Sequence, residues 1–96
     1  MRDYELMTVF RPDLGEEGLQ QANERLDGAI AARGGEVKNI DMWGQRRMAY
    51  PISDFRDGVY RLSKLQLDPT ATAELERSLR LNDQILRHML IRLDEE

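Results

Sequence analysis

Trp43, Arg46, Arg47 and Tyr50 stand close together in the run Trp43-Gly44-Gln45-Arg46-Arg47-Met48-Ala49-Tyr50-Pro51-Ile52. Aromatic faces stack on unpaired bases, and guanidinium groups grip phosphates or stack themselves. The chemistry such a run could do is recognition of an anionic polymer. The residue types leave a second reading open, in which Trp43 and Tyr50 are core aromatics and the arginines a solvated pair.

The charge distribution favours the first reading. The chain has 96 residues and a net charge of −4, which argues against non-specific nucleic-acid binding. Residues 1–35 and residues 65–96 each carry four basic and seven acidic side chains. Residues 36–64 carry six basic residues (Lys38, Arg46, Arg47, Arg56, Arg61, Lys64) against four acidic ones. Any affinity for a polyanion must therefore be local to the middle third.

Other chemistries find little support. With no cysteine, disulfides and thiolate metal sites are excluded. His88, the single histidine, lies among apolar residues with no nucleophile or acidic cluster at a useful spacing, and reads as a packed structural residue. No carboxylate pair has the apolar flanks that would raise a catalytic pKa. Gly34-Gly35 reads as a helix stop and not a phosphate loop, since no strand precedes it and no helix follows. The chain is expected to be a cytosolic non-enzyme, with no signal peptide before its first strand and no apolar run of membrane-spanning length.

The elements that must position the central run follow from periodicity. One domain is expected, over 1–96. Residues 3–10 predict a strand with Tyr4, Leu6, Thr8 and Phe10 on one face and Met7 and Val9 on the other. Asp13 and Glu16 resemble a capping box, followed by Leu19, Ala22, Leu26, Ala29 and Ile30 at helical spacing. That predicts a helix over about 15–33. A long strand over 36–52, bent near Gly44, carries Pro51, which places it at a sheet edge. A turn at 53–58 leads to a strand at 59–67. Asp68 caps a helix over about 69–81 with Pro69 at its first position and Thr72, Leu75 and Leu79 on its buried face. Asn82-Asp83 stops it, a last strand covers 85–93, and Asp94-Glu95-Glu96 is a solvated tail.

Strand, helix, strand, strand, helix, strand is the split βαβ pattern of an α+β, ferredoxin-like βαββαβ sandwich: a four-stranded antiparallel sheet with two helices on one face. The first and third strands are then central. The other sheet face stays open, where Met7 and Val9 would be costly unless covered. Strand parity sends Arg46 and Arg47 to opposite faces, and likewise Arg87 and Arg92. Even parity groups Ile40 and Met42 with Arg46 and Met48, unless a bulge at Gly44 shifts the residues before it.

Along its whole length the chain resembles the S-six family, the sixth protein of the bacterial small ribosomal subunit. The resemblance rests on Met1-Arg2-x-Tyr4-Glu5-Leu6, Arg11-Pro12-Asp13-Leu14 and Gly34-Gly35. It rests most of all on Trp43-Gly44-x-Arg46-Arg47-x-Ala49-Tyr50-Pro51-Ile52, and it closes with Leu81-Asn82-x-x-x-Leu86-Arg87. It implies a structural role in the small subunit, promotion of subunit assembly, and binding to the central domain of small-subunit ribosomal RNA as a heterodimer with ribosomal protein S-eighteen. It implies no cofactor, no metal, no catalytic residue, no small-molecule substrate and no membrane. By the family pattern Arg2, Trp43, Arg46, Arg47, Tyr50, Arg87 and Arg92 are RNA or partner contacts, and Arg56 of the same electropositive third joins them. Gln45 stands where the family often has a basic residue. The acidic total suits a protein that leans on a basic partner for RNA affinity. A reader of single-stranded RNA with the same topology would need paired aromatics on its third strand, which Arg56-Asp57-Gly58-Val59-Tyr60 lacks. The fold class also admits a ligand-binding regulatory module or an acylphosphatase-like enzyme, but no matching loop is present.

Overall fold

The computed structural model describes residues 1–93; the Asp94-Glu95-Glu96 tail lies outside the described residues. The elements are β1 (Arg2–Phe10), α1 (Gly15–Ala32), β2 (Glu36–Ile52), β3 (Phe55–Leu67), α2 (Thr72–Arg80) and β4 (Ile85–Leu93), with a 3-10 turn at Pro69–Ala71 before α2. The sheet order is β2-β3-β1-β4 and all three pairings are antiparallel. This is the expected ferredoxin-like arrangement, with β1 and β3 central and Pro51 on an edge strand.

Alternation on β1 places Tyr4, Leu6 and Phe10 against the helices. There they pack with Leu65 and Leu67 of β3, Ala22, Leu26 and Ile30 of α1, and Leu75 and Leu79 of α2. Leu26 and Ile30 sit one turn apart, so one stripe of α1 meets the sheet. Fully burying a side chain of this size contributes about 2 kcal/mol, which makes this layer the main source of stability.

Three local expectations change. Asp13 does not cap α1: Leu14 occupies the cap position and makes no side-chain bond. Arg11 captures Asp13 instead, donating from Nε and Nη2 to the two carboxylate oxygens at 3.1 and 2.9 Å. That paired donation holds the Asp13 carboxyl below the usual carboxylate range. The helix after Asp68 begins as the 3-10 turn, and Thr72 is only half-buried. Asp68 does cap it, accepting from the Thr70 backbone N–H at 3.0 Å, which holds its own carboxyl low. The turn predicted at 53–58 shrinks to Ser53-Asp54, because both residues take positive φ (50° and 69°), as a two-residue hairpin turn requires. Phe55–Gly58 then join β3 instead of a loop.

The Gly34-Gly35 stop closes α1 as a Schellman motif. The Gly35 N–H donates to the Ile30 carbonyl and the Gly34 N–H to that of Ala31, both at 3.0 Å. Asn82 turns the chain from α2 into β4, its Oδ1 accepting from the Gln84 N–H at 2.9 Å. His88 packs as a structural histidine, with Nε2 2.9 Å from Glu76 Oε1, which ties β4 to α2.

Candidate nucleic-acid and partner interface

The β2–β3 hairpin is regular only in part. Its ladder shifts register between Val37 and Asn39, between Met42 and Gly44, and between Arg47 and Ile52. At the second shift Gly44 takes φ +83°, a conformation L side chains resist, and β2 gains a bulge. The bulge separates the parities on its two sides. Arg46 pairs with Gly58 and Arg47 with Asp57, so they point to opposite faces as expected. Met42 pairs with Arg61 and Ile40 with Ser63, so both lie on the helix side and not with Arg46.

At the third shift, residues 48–51 leave the ladder and arch over the sheet face that carries no helix. Met48, the one buried residue of β2, plugs the arch onto Val9 and Gly58. A Cβ on Gly58 would stand 2.2 Å from Val9 Cγ1, so a larger residue would force Val9 to shift beneath the arch. Val9 is thereby covered by the chain itself, which answers the cost expected of an open face. Arg11 braces the arch's base, its guanidinium 5.2 Å from the Phe55 ring centroid.

The arch gathers most of the candidate residues. Arg47, Tyr50 and Arg56 line one cleft at the hairpin tip, with Met48, Ala49 and Pro51. Arg47 and Arg56 are exposed and have no hydrogen-bonding or ionic partner among the described residues. Tyr50 also walls a cavity of about 180 Å³ on the open face, lined by Met7, Val9, Met48, Tyr60, Arg87 and Met89 among others. Across that cavity Arg87 Nη1 donates to the Tyr50 hydroxyl at 3.5 Å, a long bond from the far edge strand. Arg46 sits beside Trp43, its Cζ 5.2 Å from the indole centroid. Trp43, Arg46, Arg47, Tyr50, Arg56 and Arg87 thus belong to one end of the sheet. Arg2 and Arg92 do not: Arg2 pairs with Leu67 and Arg92 with Tyr4, at the opposite end. Arg92 takes the helix-side parity and Arg87 the open one, as their spacing implied.

One basic residue of the middle third is no binding group. Arg61 is fully buried between β3 and α1. Its guanidinium donates to Ser63 Oγ at 2.8 Å, Asn23 Oδ1 at 3.0 Å and Asp27 Oδ1 at 2.5 Å. A buried charge persists only when paired and hydrogen-bonded, and this fork meets both conditions. The sequence did hold a signal. Arg61 and Ser63 share parity with Leu65 and Leu67, and Asn23 and Asp27 lie one helical turn apart. Tyr60 is the second residue missed: its ring lies 6.4 Å from that of Trp43 at 11° between planes.

Exposed apolar side chains form two groups. Met89, Ile91 and Leu93 of β4 share the open face with half-buried Met7, and Asp3 and Glu5 have the same parity on β1. Ile40, Met42 and Trp43 lie along β2 on the outer edge. Among the described residues no helix is long and apolar enough to cross a membrane, and no cluster of three or more His, Cys, Asp or Glu could hold a metal ion.

Comparison with known proteins converges on one family. The family model described as ribosomal protein S6 matches residues 3–92. The small ribosomal subunit protein bS6 of Desulforamulus reducens is 40% identical over 95 residues, covering 99% of this chain and 100% of that protein. The bS6 protein of Caldanaerobacter subterraneus subsp. tengcongensis is 44% identical with the same coverage. The crystal structure of 30S ribosomal protein S6 from Thermotoga maritima superposes with a TM-score of 0.89 at 30% identity, over 96% of this chain and 87% of that one.

Proposed function

The chain belongs to the ribosomal protein S6 family, structural and non-enzymatic constituents of the small ribosomal subunit, and from that premise we propose how it binds. It docks on the central domain of the small-subunit RNA as a heterodimer with ribosomal protein S-eighteen, in the cytoplasm, and stabilises one folded arrangement of that RNA during assembly. The hairpin tip meets the RNA. The observation that carries this is the cleft where Arg47 and Arg56 flank Tyr50, two unpaired guanidinium groups on an otherwise acidic chain. Guanidinium forks match phosphate oxygens two at a time, and Arg46 and Arg87 extend the positive end to both sides. Asp54 and Asp57 stand on the same hairpin, so the positive potential is modest, and a basic partner would raise it.

The partner covers the apolar strip of Met89, Ile91 and Leu93. Its exposure is costly in isolation, and the neighbouring Asp3 and Glu5 suit a basic protein. Arg2 and Arg92, at the far end of the sheet, serve as outlying contacts of the same assembly.

The test is association of purified chain and S-eighteen with the RNA central domain across a salt series. Replacing Arg46, Arg47 and Arg56 by Ala should weaken binding and lower the salt slope by about one for each phosphate no longer neutralised. Unchanged affinity and slope in the folded triple variant would remove the hairpin tip from the site. Ile91→Glu should break the heterodimer, whereas Met42→Glu should leave it intact; the reverse pattern would move the partner to β2.

A further inference from the structure

Trp43 neither belongs to the core nor stands free. The indole N–H donates to Asp41 Oδ2 at 3.2 Å, and the ring lies nearly parallel to that of Tyr60. The Arg46 guanidinium lies over the ring, and Arg46 Nε donates to the Trp43 carbonyl at 3.4 Å. We propose that Trp43 is a positioning residue: a fixed aromatic shelf that holds the Arg46 guanidinium with its outer N–H groups turned to an RNA phosphate. The inference rests on the reading that Arg46 contacts RNA and assigns a division of labour within that site.

The chemistry of the two groups supports this. A guanidinium stacks through its flat face and keeps its in-plane donors, so stacking does not compete with phosphate binding. Here Nε is occupied, and Nη1 and Nη2 have no partner among the described residues. Those two nitrogens are a fork able to bind two phosphate oxygens at once. The shelf is itself anchored, by Asp41 and by Tyr60, so it is ordered before any RNA arrives. The bulge at Gly44 makes the contact possible, because a regular strand would send residues 43 and 46 to opposite faces. An arginine already held in its binding orientation gives up less freedom when it meets the phosphate.

The experiment uses the full chain with S-eighteen and the RNA central domain. Trp43→Leu should weaken RNA association roughly two- to fivefold, the value of an exposed cation–π contact, and leave the salt slope unchanged. Trp43→Phe should restore most of that affinity. Arg46→Ala should lower the slope by about one, and adding Trp43→Leu to it should cost nothing more. In the free protein, ring-current shifts should mark the Arg46 side-chain protons, persist in part in Trp43→Phe and vanish in Trp43→Leu. Full affinity in Trp43→Leu would overturn the shelf, and so would a weakening that adds to that of Arg46→Ala, since the indole would then touch RNA itself. If Arg46→Ala changes neither affinity nor slope while the ring-current shifts are present, it is the RNA role of Arg46 that fails, and the shelf loses its purpose with it.

Discussion

Arg61 and Arg46 sit on the two strands of one hairpin and have opposite fates. Arg61 faces α1, is sealed from water and is satisfied by Ser63, Asn23 and Asp27. Arg46 lies past the bulge, paired with Gly58 on the open face, and rests on Trp43, exposed to solvent. The same side chain is structural in one place and available in the other. What decides is strand parity and which face a helix covers. Counting charges along a segment therefore overstates its binding surface.

The sharpest test of that contrast is Arg61→Ala. It opens a void under α1 and leaves Ser63 without its partner, while half-exposed Asp27 can turn to water; it should destabilise the fold by about 3 kcal/mol, read as a lower midpoint in denaturant unfolding. Arg61→Met, which keeps volume without charge, should recover most of that. An Arg61→Ala protein of ordinary stability would erase the distinction between the two arginines.

Gly58→Ala probes the other side. The added methyl collides with Val9 beneath the arch, and should cost about 2 kcal/mol and loosen the tip that presents Arg47 and Arg56. Thermal unfolding checks the first effect and RNA association the second. Replacing Arg46, Arg47 and Arg56 together by Ala should change stability by no more than about 1 kcal/mol, the Arg46–Trp43 contact included, while RNA binding falls. A large drop in stability there would mean the exposed arginines are structural too.

The smallest effect is a pH effect remote from both regions. Asp13 and Asp68 have carboxyls held below their ordinary value by Arg11 and by the Thr70 N–H. Each contributes stability that is present above the unfolded-state pKa and lost as pH falls through the lower folded one. Asp68→Asn should flatten the acid limb of the stability curve slightly, and RNA binding at neutral pH should not change.

The sheet and its helices were legible because their signals are local and repetitive. Tyr4, Leu6 and Phe10 alternate, Leu26 and Ile30 recur at one turn, and Pro51 demands an edge. Arg61 was misread because burial of a charge depends on Asn23 and Asp27, far away in sequence. The arch was invisible for a related reason: residues 48–51 keep a strand-like composition, and only the fit of Met48 onto Val9 and Gly58 lifts them from the ladder. Asp13 matched a cap pattern, yet Arg11, two residues away, offered its carboxylate a better partner. The structure gathers the central motif at one end of the sheet; which of its members share a face depended on a single glycine at a positive φ.

The irregular course of β2 also bears on solubility. An outer strand of seventeen residues would ordinarily offer a long row of unpaired amides for a stray chain to zip onto. Here three register shifts break that row, and Pro51 removes one donor outright. The distortions that aim Trp43 and raise the arch therefore also make this margin a poor seed for aggregates.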